Sequence, residues 1–124
     1  LRGHILIVDD NPIDLKLASE LLAASGFEVR GTADAEEAQV LLAERIPDLI
    51  VTDIALPGMD GLTFTRKLKA DARLGHVPVV ALTAFAMRGD EERAAAAGCR
   101  GYIVKPIDIR RFAEQISELL QPSR

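Results

Sequence analysis

Four short runs of consecutively apolar residues constrain this chain most: Ile5-Leu6-Ile7-Val8, Leu49-Ile50-Val51-Thr52, Pro78-Val79-Val80-Ala81-Leu82 and Gly101-Tyr102-Ile103-Val104. A run that is apolar on successive residues suits a strand covered on both faces, the situation of a parallel sheet. A weaker run, Phe27-Glu28-Val29-Arg30, alternates apolar with polar residues and is placed at a sheet edge. Parallel neighbours cannot be joined by a tight hairpin; each needs a crossover of a dozen or more residues, usually a helix.

The stretches between the runs carry helix signals. Asn11 can cap a first helix with Pro12 in its first turn and Gly26 at its end, and Ile13, Leu17, Leu21 and Leu22 form the expected apolar stripe. Asp34 with Glu37 three residues on reads as a capping box before Ala38, Leu41 and Leu42. Residues 62–70 hold a shorter helix with Leu62 and Leu68, and Gly89 to Ala97 an acidic-then-alanine one stopped by Gly98. Asp108 can cap the last, whose Ile109, Phe112, Ile116, Leu119 and Leu120 share a face.

Five strands alternating with five helices in 124 residues predict one three-layer α/β domain over residues 1–124, with right-handed crossovers. In such sheets the functional crevice lies beyond the carboxyl ends of the strands. The residues that follow the strong runs are Asp9-Asp10, Asp53, Thr83-Ala84 and Lys105-Pro106. Two carboxylates about 4 Å apart repel by roughly 4 kcal/mol at an effective dielectric near 20. Three on one rim therefore call for a counter-charge, and all-oxygen ligation favours Mg²⁺ or Mn²⁺. Other classes fall away. The net charge of −4 gives no electrostatic footprint for nucleic acid, and no run approaches 18 apolar residues, which argues against a membrane span. The lone Cys99 forms no internal disulfide and, with two histidines, no zinc site. With no signal peptide visible, a cytoplasmic setting is expected, and Leu1 in place of Met suggests a piece of a longer chain.

The strings Ile7-Val8-Asp9-Asp10-Asn11, Asp53-Ile54-Ala55-Leu56-Pro57-Gly58-Met59-Asp60-Gly61, Ala81-Leu82-Thr83-Ala84 and Gly101-Tyr102-Ile103-Val104-Lys105-Pro106 resemble, in that order and spacing, the receiver domain of two-component response regulators. The resemblance covers residue 4 to about 120. It implies a flavodoxin-like doubly wound (βα)5 sandwich with strand order 2-1-3-4-5. It further implies Asp53 as phosphoacceptor and Mg²⁺ held by the side chains of Asp10 and Asp53, the Ala55 carbonyl and, through water, Asp9. Thr83, Ala84 and Lys105 would bind the phosphoryl oxygens, Thr83 and Tyr102 would form a switch pair, and Lys105-Pro106 would be a cis peptide. A carboxylate nucleophile has no proton to lose, so its chemistry asks for positioning and charge neutralisation, which Lys105 and a cation provide.

The partners implied are a histidine kinase or phosphotransfer protein and a downstream protein at the 90–120 surface, with no nucleic acid or membrane, on a monomer or weak dimer. The domain would be no enzyme beyond Mg²⁺-dependent self-phosphorylation and self-dephosphorylation. Ala55 and Phe85, two residues beyond Asp53 and Thr83, offer no polar side chain to orient a hydrolytic water, so slow self-dephosphorylation is expected. Pro57-Gly58 and Gly61 read as a tight loop needing glycine dihedrals. Cys99 reads as packed, His4 and His76 as surface residues, Glu91, Glu92 and Arg93 as a solvated helix start, and Phe27, Phe64 and Phe112 as core. A haloacid-dehalogenase-type phosphatase would place two aspartates two residues apart after the first strand, where this chain has an adjacent pair, and a flavin-binding flavodoxin would need a hydroxyl- and glycine-rich loop there. Neither fits Asp9-Asp10-Asn11-Pro12. The remaining alternative is a phosphorylation-independent interaction module on the same fold.

Overall fold

A computed structural model describes residues 2–84 and 87–121. Ten elements alternate: β1 (His4–Val8), α1 (Pro12–Ala24), β2 (Glu28–Thr32), α2 (Ala35–Glu44), β3 (Leu49–Asp53), α3 (Gly61–Ala70), β4 (Val79–Thr83), α4 (Asp90–Ala97), β5 (Gly101–Val104) and α5 (Phe112–Leu120). All strand pairs are parallel and the sheet order is β2-β1-β3-β4-β5, as the resemblance implies. Three of the four continuous apolar runs are the central strands β1, β3 and β4, buried at every position. The fourth is corrected: β5 is an edge strand in which Ile103 is buried and Val104 exposed, and β2 is the alternating run at the other edge.

Period-two alternation sends strand residues to two separate cores. Ile5, Ile7, Leu49, Val51, Val80 and Leu82 pack on one face with Leu22 of α1 and Phe112 and Ile116 of α5. Leu6, Val8, Ile50 and Val79 pack on the other with Leu42 of α2 and Phe64 and Leu68 of α3. Phe27, Phe64 and Phe112 are all buried, as their sequence reading required.

The caps place the helices. The Asn11 side chain accepts from the Ile13 and Asp14 N–H groups, Asp34 accepts from Glu37 N–H, and Gly98 closes α4 at φ 109°. Asp60 caps α3, a role the sequence reading did not assign. Three further expectations are corrected. Of the expected α1 stripe, Leu21 and Leu22 pack on the core, but Ile13 is exposed. The packed side runs instead through buried Ala18 and Leu22 with partly buried Leu15 and Leu21, because the crossover direction from β1 sets which side of the helix meets the sheet. Asp108 closes a separate turn, accepting from Arg110 N–H, so α5 starts only at Phe112 and Ile109 is exposed. His4 is buried rather than on the surface, since β1 is covered along its whole length; His76 is exposed as expected. Among the described residues no helix is long and apolar enough to cross a membrane.

Candidate functional site

The sheet register assembles the site. Val8 pairs with Thr52, Asp53 with Leu82, and Thr83 with Val104. Strands lie about 4.8 Å apart, so Asp9, Asp53, Thr83 and Lys105 emerge side by side where the strands end. Asp53 and Lys105, with Asp10, Asn11, Pro12, Asp14, Ala55 and Ala84, line an open cleft of about 400 Å³, and Asp9 and Thr83 are buried at the strand ends beside it.

Lys105 is the electrostatic centre. Its Nζ lies 2.9 Å from Asp53 Oδ2, 2.8 Å from Asp9 Oδ2 and 3.0 Å from Asp14 Oδ2. Only the Asp53 contact is aligned as a hydrogen bond; the other two are ion pairs by proximity. Burial alone would lower the lysine's pKa, but the attraction of the three surrounding carboxylates, Asp9, Asp53 and Asp14, outweighs it and holds the ammonium above the usual lysine range. Burial pushes the Asp9 carboxyl up from its ordinary range, against the pull of Lys105.

The carboxylates are fixed by local backbone. Asp9 Oδ1 accepts from Asn11 N–H at 2.9 Å, and Asp53 Oδ1 accepts from Ala55 N–H at 2.9 Å. The loop after Asp53 is closed by Gly61 N–H donating to the Ile54 carbonyl at 2.8 Å. Gly61 packs so closely that a Cβ there would sit 2.0 Å from the Asp53 carbonyl oxygen. Gly58 is the residue of this loop in the left-handed region, at φ 72°. The expectation for Gly61 is thus corrected: it supplies space, and Gly58 supplies the dihedral.

Thr83 is buried at the end of β4 and its carbonyl accepts from Lys105 N–H at 2.7 Å; Ala84 is exposed at the cleft. Tyr102 packs against Ala81, Ala94 and Ala97, and its hydroxyl is buried with no hydrogen-bond partner among the described residues. Lys105-Pro106 is cis. Phe85 lies outside the described residues.

The residues present fit a hard cation. Asp9, Asp10 and Asp53 each bring a carboxylate oxygen to within 4.8 Å of the others. Asp9 Oδ2 is buried and accepts no aligned hydrogen bond, although the Lys105 ammonium lies 2.8 Å from it, so it keeps capacity to accept from a further donor or a cation-bound water. An all-oxygen donor set matches Mg²⁺ or Mn²⁺.

The sequence matches the response regulator receiver domain family over residues 5–117. The chain is a receiver domain. It is 49% identical over 120 residues to the polar-differentiation response regulator DivK of Brucella ovis, covering 97% of this chain and 98% of that one. Among solved structures, a response regulator from Chloroflexus aurantiacus superposes with a TM-score of 0.90 at 28% identity, covering 95% of this chain and 97% of that one. The receiver domain of a Pseudomonas aeruginosa sensor histidine kinase, solved with a magnesium ion coordinated in its active-site cleft, superposes with a TM-score of 0.85 at 31% identity over 95% and 97% of the two chains.

The receiver brings every strand-end residue singled out in the sequence to one rim. It also adds one that the sequence reading passed over. Asp14 is in the first turn of α1, where an acidic residue is ordinary. Helical side chains lean back toward the N-terminus, so a residue one turn after Asp10 reaches over the strand ends. That spacing is the signal that would have found it.

Proposed function

We propose that this receiver is a phosphorylation-dependent switch whose acceptor is Asp53. The observation that carries this reading is the Lys105 ammonium hydrogen-bonded at 2.9 Å to the Asp53 carboxylate inside an acidic cleft. A histidine kinase or a phosphotransfer protein presents a phosphohistidine. The Asp53 carboxylate forms a bond to phosphorus as the P–N bond breaks, and the electron pair of that bond returns to the imidazole. The nucleophile loses no proton, so the protein needs to position it and to neutralise the equatorial oxygens. Lys105 donates to one of those oxygens, Ala84 offers its backbone at the cleft, and the Thr83 hydroxyl reaches another. Asp10 and Asp53, the Ala55 carbonyl and, through water, Asp9 would hold Mg²⁺, with Mn²⁺ as a substitute. When bound, that ion would supply positive charge to the phosphoryl oxygens and to the acidic rim.

Movement of Thr83 toward the phosphoryl group would be coupled to Tyr102 and to the surface of α4, β5 and α5, shifting which protein the 90–120 face binds. Small acyl phosphates would serve as donors in self-phosphorylation. Self-dephosphorylation would be slow, since Ala55 offers no polar side-chain atom at the cleft. A cytoplasmic setting, a monomer or weak dimer, and a single folded unit over 1–124 complete the reading.

The test is labelling with acetyl phosphate and Mg²⁺ followed by intact-mass and peptide analysis. One phosphoryl group on Asp53, lost in Asp53→Asn and greatly reduced without Mg²⁺, is the expected outcome. A phosphoryl group retained in Asp53→Asn would defeat the assignment.

A further inference from the structure

Lys105 has one more anionic neighbour than the acceptor and the cation-facing carboxylates account for. Asp14 Oδ2 lies 3.0 Å from the ammonium, and Asp14 does not belong to the trio whose oxygens cluster for a cation. Its backbone is held by the N-cap, with Asp14 N–H donating to Asn11 Oδ1 at 3.1 Å. Its side chain is the most solvated of the three around Lys105, 32% exposed against 1% for Asp9 and 8% for Asp53.

These differences assign distinct parts to the three carboxylates. An ammonium has three N–H donors, and here three anions already surround it. A phosphoryl oxygen arriving at Lys105 must displace or share one of them. Asp9 is buried and pinned by Asn11 N–H, and Asp53 is the group being modified. Asp14, at the solvent edge of the same cleft, is the one free to yield. The geometry points to Asp14 as a positioning residue: it holds Lys105 over the cleft in the resting receiver and competes with the incoming phosphoryl group for it, so its charge slows phosphorylation of Asp53. This rests on the acceptor reading above. An acidic residue in the first turn of a helix also favours the helix dipole, but that role predicts a change in stability and none in phosphorylation rate.

The experiment compares phosphorylation by acetyl phosphate at saturating Mg²⁺ in the intact domain and in Asp14→Asn and Asp14→Glu. Asp14→Asn should react roughly two- to fivefold faster at low salt, the range a partly exposed ion pair supports. That advantage should shrink toward unity as added salt shortens the screening length to about 3 Å near 1 M. Asp14→Glu should stay near the parent rate. Mg²⁺ affinity, followed by amide shifts without any phosphodonor, should change by less than about twofold, because the charge removed lies outside the cation-facing trio. Unchanged or slower phosphorylation of Asp14→Asn, or a gain that ignores salt, overturns the proposal. So does a tenfold loss of Mg²⁺ affinity, which would make Asp14 a ligand. If the unmodified domain itself takes no label on Asp53, the acceptor reading fails instead, and the two failures are distinct.

Discussion

Replacing Gly61 by alanine tests how the receiver places its acceptor. The added Cβ would lie 2.0 Å from the Asp53 carbonyl oxygen, 2.9 Å from its carbon and 3.0 Å from Ile54 Cα. Ordinary carbon contacts begin near 3.5 Å, so the backbone must open by more than about 1 Å. The atoms in the way are main chain at the end of β3, and no side-chain rotation relieves the clash. Relief has to come either from Asp53 itself or from the start of α3. Moving α3 breaks the 2.8 Å bond from Gly61 N–H to the Ile54 carbonyl. Overpacking costs about 1–3 kcal/mol and the lost backbone bond about 1–3 kcal/mol more. The smaller unfolded-state entropy of alanine returns about 0.4–1 kcal/mol. The net expectation is a loss of about 2–5 kcal/mol, read as a lower urea midpoint at unchanged slope. A displacement of order 1 Å at the acceptor should also cut the acetyl-phosphate reaction rate by up to about a hundredfold. Gly58→Ala is the control: at φ 72° it carries dihedral strain of about 1 kcal/mol, with the mobile Glu36 carboxylate as its nearest neighbour at 3.1 Å, and should leave the rate nearly intact. If Gly61→Ala keeps both its urea midpoint and its phosphorylation rate, the close-approach argument is wrong.

Two further outcomes follow from buried charge. Lys105→Met leaves the buried Asp9 carboxylate without its cation and should cost about 3 kcal/mol in metal-free urea unfolding; a penalty that Mg²⁺ fails to reduce would contradict a cation site on these carboxylates. His4 is buried at the start of β1, where burial lowers its pKa from 6.5, Arg45 and Arg30 lower it further, and Glu28 opposes them. The fold then prefers the neutral imidazole, so stability is fully present above about pH 6.5 and is lost as pH falls toward the lowered folded value, by at most about 1.4 kcal/mol per pH unit. The difference in urea stability between the parent and His4→Gln should therefore slope between pH 7 and 5, and parallel curves would refute the burial account.

Local chemistry in the sequence determined a large part of this receiver. Runs apolar at successive positions specify parallel strands, covered on both sides where they are central as in β1, β3 and β4. Asn11, Asp34 and Gly98 mark helix ends because each satisfies orphaned backbone groups within three residues of itself. The strand-end residues were legible for the same reason: parallel strands in register deliver whatever follows them to one rim. Only the tertiary structure decided which side of a helix faces the sheet, which is why Leu15 and Ala18 are packed while Ile13 is exposed. It alone decided that His4 is covered, that Gly61 serves by lacking a side chain beside Asp53, and that Asp14 meets Lys105 across 91 residues of chain. These are contacts between elements far apart in sequence. Their existence depends on the angle and depth at which helices dock, which no local pattern of residues encodes.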